Sequence, residues 1–164
     1  MKTATAAALL VIIGISLYAA RPLVAENEAS DETFESYVPG LGEIMGATQM
    51  RHSKIWFAGS AGNWDLARYE LTELQEGFDD AAIYHPQFKH GAQIASLAEQ
   101  INAKPLSEVE AAINAEDSAA FTQAYDDLTH ACNVCHVAAG QGFIVIKRPA
   151  FLPYSNQAFA VKKE

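Results

Sequence analysis

The sequence predicts an all-α protein: an antiparallel four-helix bundle whose last helix lies near the C-terminus and is followed by an irregular tail. Three observations point there. Apolar residues recur at spacings of three and four from about residue 41 to residue 139. Gly, Pro and the capping residues Asn, Asp and Ser fall between these stripes, where helices stop and start. No alternating stretch of useful length precedes Phe143-Ile144-Val145-Ile146, and no internal repeat is visible.

Residues 1–25 stand apart from the fold. Lys2 precedes an apolar run from Ala4 to Ala20, broken only by Thr5, Gly14 and Ser16. A positive start, an apolar middle and small residues afterwards read as an export signal, with Ala20 or Ala25 as cleavage points. The run is close to the lower limit for crossing a bilayer, so a retained anchor is the competing reading. Residues 26–37 form an acidic, polar leader.

The helical domain spans 38–142. Its first stripe is Leu41, Ile44, Met45, Thr48, His52, Ile55 and Trp56, ended by Gly59 and Gly62. Asn63 is placed to cap the second helix, with Asp65 in its first turn. Trp64, Ala67, Leu71, Leu74, Phe78 and Ala81 form its buried face, and His85-Pro86 stops it. The third stripe, Ile94, Leu97, Ala98 and Ile101, is expected to close at Pro105. Ser107 with Glu110 resembles a capping box that opens a short helical piece. Asp117 caps the last helix, whose face is Phe121, Ala124, Tyr125, Leu128, Cys132, Cys135, His136 and Ala139, and Gly140 terminates it. Residues 143–164, with Pro149 and Pro153, are the irregular tail.

Composition narrows the function. The 164 residues hold 20 acids against 11 bases, a formal charge of -9, with no basic patch, so a nucleic-acid partner is excluded. Residues 1–25 carry two bases and no acid, so their removal takes the charge to about -11. Export together with this charge indicates a bacterial periplasm. Two cysteines three apart cannot form a disulfide framework, which leaves ligand or attachment chemistry.

That chemistry sits at Cys132-Asn133-Val134-Cys135-His136. Cys-x-x-Cys-His is the attachment signature of c-type haem. On a helix, residues at i and i+3 share a side, so both thiols reach the two vinyl groups of one porphyrin. His136, four after Cys132, is aimed at the iron from the same ring edge. A thioredoxin-like pair would open a helix after a strand, whereas this motif closes a helix in an all-helical chain. A zinc site lacks a suitably spaced fourth ligand. The motif therefore predicts one covalently attached haem c per chain.

A Cys-x-x-Cys-His near the end of the last helix of a bundle resembles the class II c-type cytochromes, the family of cytochrome c prime and its low-spin relatives. The resemblance covers residues 38–142 and rests mainly on Cys132–His136 and its C-terminal placement. It implies electron transfer or diatomic-gas binding, with His136 as the proximal ligand. It also implies that the distal position belongs to the first helix, where Glu43-Ile44-Met45-Gly46-Ala47 places Met45. Thioether with imidazole gives low-spin iron and a raised potential; the competing role for Met45 is core filling. His52, seven residues on, returns to the same face and is the rival: ligand, propionate partner or satisfied core residue.

The chain departs from the family where a basic residue four after the haem histidine is usual, since Gly140 stands there. Trp56 and Trp64 are candidates for the haem crevice or for plain core. Gln141 to Ile146 and the tail have no counterpart. The expected function is periplasmic one-electron transfer with a basic redox partner protein, by a weak salt-sensitive encounter. The alternative is a five-coordinate haem protein that binds or senses NO or CO. A peroxidase-like enzyme with His52 acting distally lacks a companion Arg, because Arg51 points elsewhere on the helix. The resemblance implies a homodimer through the first two helices; membrane association is expected only where the N-terminal segment is retained.

Overall fold

The computed structural model describes residues 37–152 and 154–161, and of His90 and Asn102 only the backbone. The export segment and residues 26–36 of the leader lie outside the described residues. What is described is all-helical, with no strand beyond an isolated bridge between Gln87 and Gln93.

Helix α1 runs Leu41–Ser60 and buries Ile44, Thr48, His52, Ile55, Ala58 and Gly59, one face at the expected spacing. It ends as a Schellman motif. Gly62 takes φ +68°, its N–H bonds to Gly59 O at 3.0 Å, and the N–H of Asn63 reaches back to Ala58 O at 2.9 Å. Asn63 then caps α2, Trp64–Tyr84, by accepting from the N–H of Leu66 at 3.3 Å. Pro86 stops that helix by forcing His85 out of helical geometry, to φ -132°.

Helix α3, Ile94–Ile101, does not close at Pro105. It continues through a π-helical segment, Asn102–Leu106, directly into α4, Ser107–Asn114. Proline cannot supply the N–H of an ordinary α turn, and a widened turn absorbs the defect without breaking the rod. Ser107 is consequently not a cap. Its hydroxyl donates to the carbonyls of Lys104 at 2.9 Å and Ala103 at 3.4 Å, back into the helix it was expected to begin.

The α4–α5 corner repeats the Schellman geometry with a non-glycine residue, Glu116 at φ +53°. Asp117 caps α5, Ser118–Ala138, accepting from the N–H groups of Ala119 at 2.9 Å and Ala120 at 3.0 Å. A third Schellman turn ends α5. Gly140, at φ +72°, bonds to Val137 O, and the N–H of Gln141 to His136 O.

Contacts between α1 and α2 step in opposite directions along the two chains. Thr48 meets Gly77, Arg51 pairs with Glu73 and Glu70, and Lys54 with Glu70. Glu70 is only 1% exposed, so its carboxylate depends on these two cations from α1 to offset lost hydration. Helices α1 and α5 likewise run counter to each other, with His52 against Tyr125 and Thr129, and Gly59 against Phe121. The core between the helices is Ile55, Leu74, Val109, Ile113, Phe121, Tyr125 and Leu128.

The tail is irregular and still bound to the helices. Arg148 makes a two-pronged ion pair with Asp126 on α5, its guanidinium lying 4.3 Å from the Trp56 ring centre. Phe159 is buried beside Phe57, and its carbonyl accepts from Asn63 Nδ2 at 3.0 Å.

A Cβ built on Gly59 would stand 2.2 Å from the Phe121 ring, which Trp56 and Trp64 hold in place. Gly59→Ala is therefore expected to lower unfolding free energy by about 1–3 kcal/mol, despite alanine's better helix propensity. Urea unfolding of the two proteins side by side measures it; a variant as stable as the parent contradicts the packing described.

Candidate functional site

A cavity of about 270 Å³ lies where α1, α2, α3 and α5 meet the start of the tail. Its walls are apolar for the most part. Phe78 and Ala81 come from α2, Ile94, Ala98 and Ile101 from α3, and Ile144 and Ile146 from the tail. From α5 come Cys132, Cys135 and His136, and from α1 comes Met45.

Helical periodicity explains the α5 contribution. Three- and four-residue steps keep Cys132, Cys135, His136 and Ala139 on one side, continuous with the buried Leu128 and Tyr125. Cys132 is buried, Cys135 half-buried, and both are free thiols. Burial pushes the Cys132 thiol up to about 12, with a contribution from neighbouring Cys135, and burial raises Cys135 too. Both sulfurs are thus protonated and unpaired at neutral pH. Among the described residues no three of His, Cys, Asp and Glu converge to hold a metal ion by themselves.

His136 is oriented by the backbone. Its Nδ1 lies 2.7 Å from the carbonyl oxygen of Ile144. A carbonyl only accepts, so Nδ1 carries a proton, and the neutral ring with this tautomer has its lone pair on Nε2. This is the tautomer that binds iron through Nε2 while donating from the opposite nitrogen. The donor set therefore fits a haem c: two protonated thiols at i and i+3, an imidazole with a bare Nε2, and apolar walls for a macrocycle.

Met45 is half-buried on the cavity wall, packed against the main core and against the smaller cluster of Ile44, Ala81, Ile94 and Ala139. His52 is not on that wall. It is 3% exposed and sits between α1 and α5, with Nε2 2.9 Å from Thr129 Oγ1 and Nδ1 2.9 Å from the Tyr125 hydroxyl. The two hydroxyls also approach helix carbonyls, Tyr125 that of His52 and Thr129 that of Tyr125. Neutral His52 supplies one proton and each hydroxyl one, so three protons serve four contacts. The carbonyl left over still has its own helical N–H partner. Burial lowers the His52 pKa to about 4, so the ring is neutral at pH 7. Of its three expected roles, the geometry matches the satisfied core residue.

Trp56 and Trp64 do not line the cavity; both pack on Phe121. His85 is taken by the carbonyl of Pro39 at 2.8 Å, and His130 is exposed away from the site. Gly140 places no cation beside His136 and serves instead as the left-handed residue of the α5 stop.

Sequence reasoning missed two parts of the site: the Ile144 carbonyl, and Asn133, whose side chain holds the tail at Ile146. A main-chain carbonyl has no sequence signature, and Asn133 occupies a position that the motif leaves open. Neither family models, nor the curated proteins, nor the solved structures offer a match to this chain.

The His52 environment makes stability depend on pH. In the unfolded chain His52 takes up a proton near 6.5, and in the folded protein only near 4. The unfolded state binds more protons in between, so this contribution is full above pH 6.5 and fades as pH falls toward 4. The expected loss is about 3 kcal/mol, read as the fall in urea stability over that window. His52→Gln should flatten this part of the profile; an unchanged slope in that variant contradicts the assignment.

Proposed function

We propose that this chain is an exported mono-haem c-type cytochrome of the class II kind, an antiparallel four-helix bundle whose last helix carries the haem. Its work is one-electron transfer in the periplasm. The observation that carries this reading is the convergence on one apolar cavity of Cys132, Cys135 and His136 from α5 and Met45 from the facing α1. When bound, haem supplies the Fe(III)/Fe(II) couple.

The chain's own residues do the rest. Cys132 and Cys135 would hold the macrocycle through thioether bonds formed by addition of each thiol to a vinyl group. The His136 Nδ1–H donates to Ile144 O, and Nε2 would bind the iron as a stronger donor because of that hydrogen bond. Met45, on the α1 wall of the same cavity, would supply the second ligand through its sulfur. Phe78, Ile94, Ile101, Ile144 and Ile146 exclude water, which together with axial-ligand choice sets the potential. A surface bearing many more acids than bases suits a basic redox partner. No helix among the described residues is long and apolar enough to cross a membrane. Tethering would depend on residues 1–25, and a second copy would dock through α1 and α2.

Optical spectra of the protein, matured with a working haem-attachment system, test the reading. A sharp reduced α-band that ignores CO is expected. Met45→Ala should then open the site to CO and lower the potential, while His52→Gln leaves the spectrum unchanged. A high-spin parent that shifts at once with CO would remove Met45 as ligand and favour NO or CO binding. Absence of covalent haem would end the cytochrome reading.

A further inference from the structure

The start of the tail does more than cover the cavity. After the Gly140 stop the chain turns back along α5, with the Ile144 N–H bonded to Gln141 O at 2.8 Å. Its carbonyl then meets His136 Nδ1, as described above. Two residues further on, the Asn133 side chain pairs with Ile146 as a neighbouring strand would. Asn133 Nδ2 donates to Ile146 O at 2.8 Å, and the Ile146 N–H donates to Asn133 Oδ1 at 2.7 Å. The other Nδ2 proton goes to Thr129 O at 3.0 Å, so the amide is locked to α5 as well as to the tail. Every donor of the Asn133 side chain is thus engaged. Downstream, the Arg148 ion pair with Asp126 anchors the same strand of tail.

We infer that Asn133 is a positioning residue for His136, an assignment that deepens the cytochrome reading and rests on it. Asn133 fixes Ile146, and with it the Ile144 carbonyl two residues earlier, so that the Nδ1–H of His136 keeps its acceptor and the ring keeps its orientation. The same clasp sets the Ile144 and Ile146 side chains into the cavity wall. The acceptor that orients His136 is thus a backbone carbonyl held through the motif's own variable position. Aspartate and leucine at 133 are not equivalent tests. Leucine removes all three hydrogen bonds, while aspartate keeps the acceptor for the Ile146 N–H and loses both donors.

The test uses the full-length protein with ¹⁵N-labelled histidine, in the reduced state, with haem content measured on each sample. In Asn133→Leu the His136 Nδ1–H should exchange with solvent about tenfold faster, as expected when the two hydrogen bonds, of the three, that tie Ile146 to α5 are lost. The reduction potential should rise, because an imidazole that no longer donates from Nδ1 stabilises Fe(III) less. Asn133→Asp should show the same changes at smaller size, and it decides the matter where the leucine variant does not fold. A folded variant with lower thermal stability but unchanged Nδ1–H exchange and potential overturns the inference, because the clasp would then be structural only. Normal haem content with no effect at His136 sinks the clasp and spares the cytochrome reading. A protected Nδ1–H that Asn133→Leu exposes, in protein lacking haem, does the reverse.

Discussion

The register of α1 against α5 is the constraint on which the rest depends, and a buried polar contact sets it. His52 meets Tyr125 and Thr129 through both ring nitrogens. Sliding either helix by one residue would strand those groups without partners in the core, at a cost of about 1–3 kcal/mol each. Apolar packing alone tolerates such slips far better. Met45 lies seven residues before His52, and Cys132 seven after Tyr125. Two turns of antiparallel helix, about 10.5 Å, therefore carry the register from the polar contact to the cavity and set Met45 across from the thiols. A histidine that looks like a rival ligand acts as the spacer that fixes where Met45 and the two thiols stand.

The same layer accounts for the tail. Trp56 is one turn beyond His52 on α1, and its ring supports both Tyr125 and the Arg148 guanidinium. Arg148 in turn pairs with Asp126, next to Tyr125 in sequence. The strand that reaches the His136 imidazole is thus moored in the layer that sets helix register. Orientation of the imidazole and alignment of the helices are consequences of one packed unit.

Much of this was legible in the sequence, and what was legible is local. The α1 and α5 stripes, the Asn63 and Asp117 caps and the Gly62 and Gly140 stops each depend on residues within a turn or so of one another, and the structure has them where periodicity and capping chemistry put them. Pro105 misled because its usual effect assumes α geometry, and a π turn removes the conflict. Ser107 misled for a related reason: its hydroxyl had carbonyls to bind once the helix ran on. In the site, thiols and imidazole were readable from their spacing. The Asn133 clasp joins residues thirteen apart through main-chain atoms, and main-chain atoms are the same whatever the residue.

The π segment before α4 also has a geometric consequence. A widened turn is an α-helix with one residue added, and each residue of an α-helix turns the chain by about 100°. Ala98 and Ile101 before the π segment and Leu106, Val109, Ala112 and Ile113 at its end and beyond are buried in one and the same core. Asn102–Leu106 thus works as a phase adjuster: its widened turn absorbs the five-residue step from Ile101 to Leu106 and keeps the apolar stripes of both halves on one core. Growth or loss of a single residue there would re-aim half the helix while leaving its length almost unchanged. The proline that was expected to end the element marks the point at which its two halves are brought into phase.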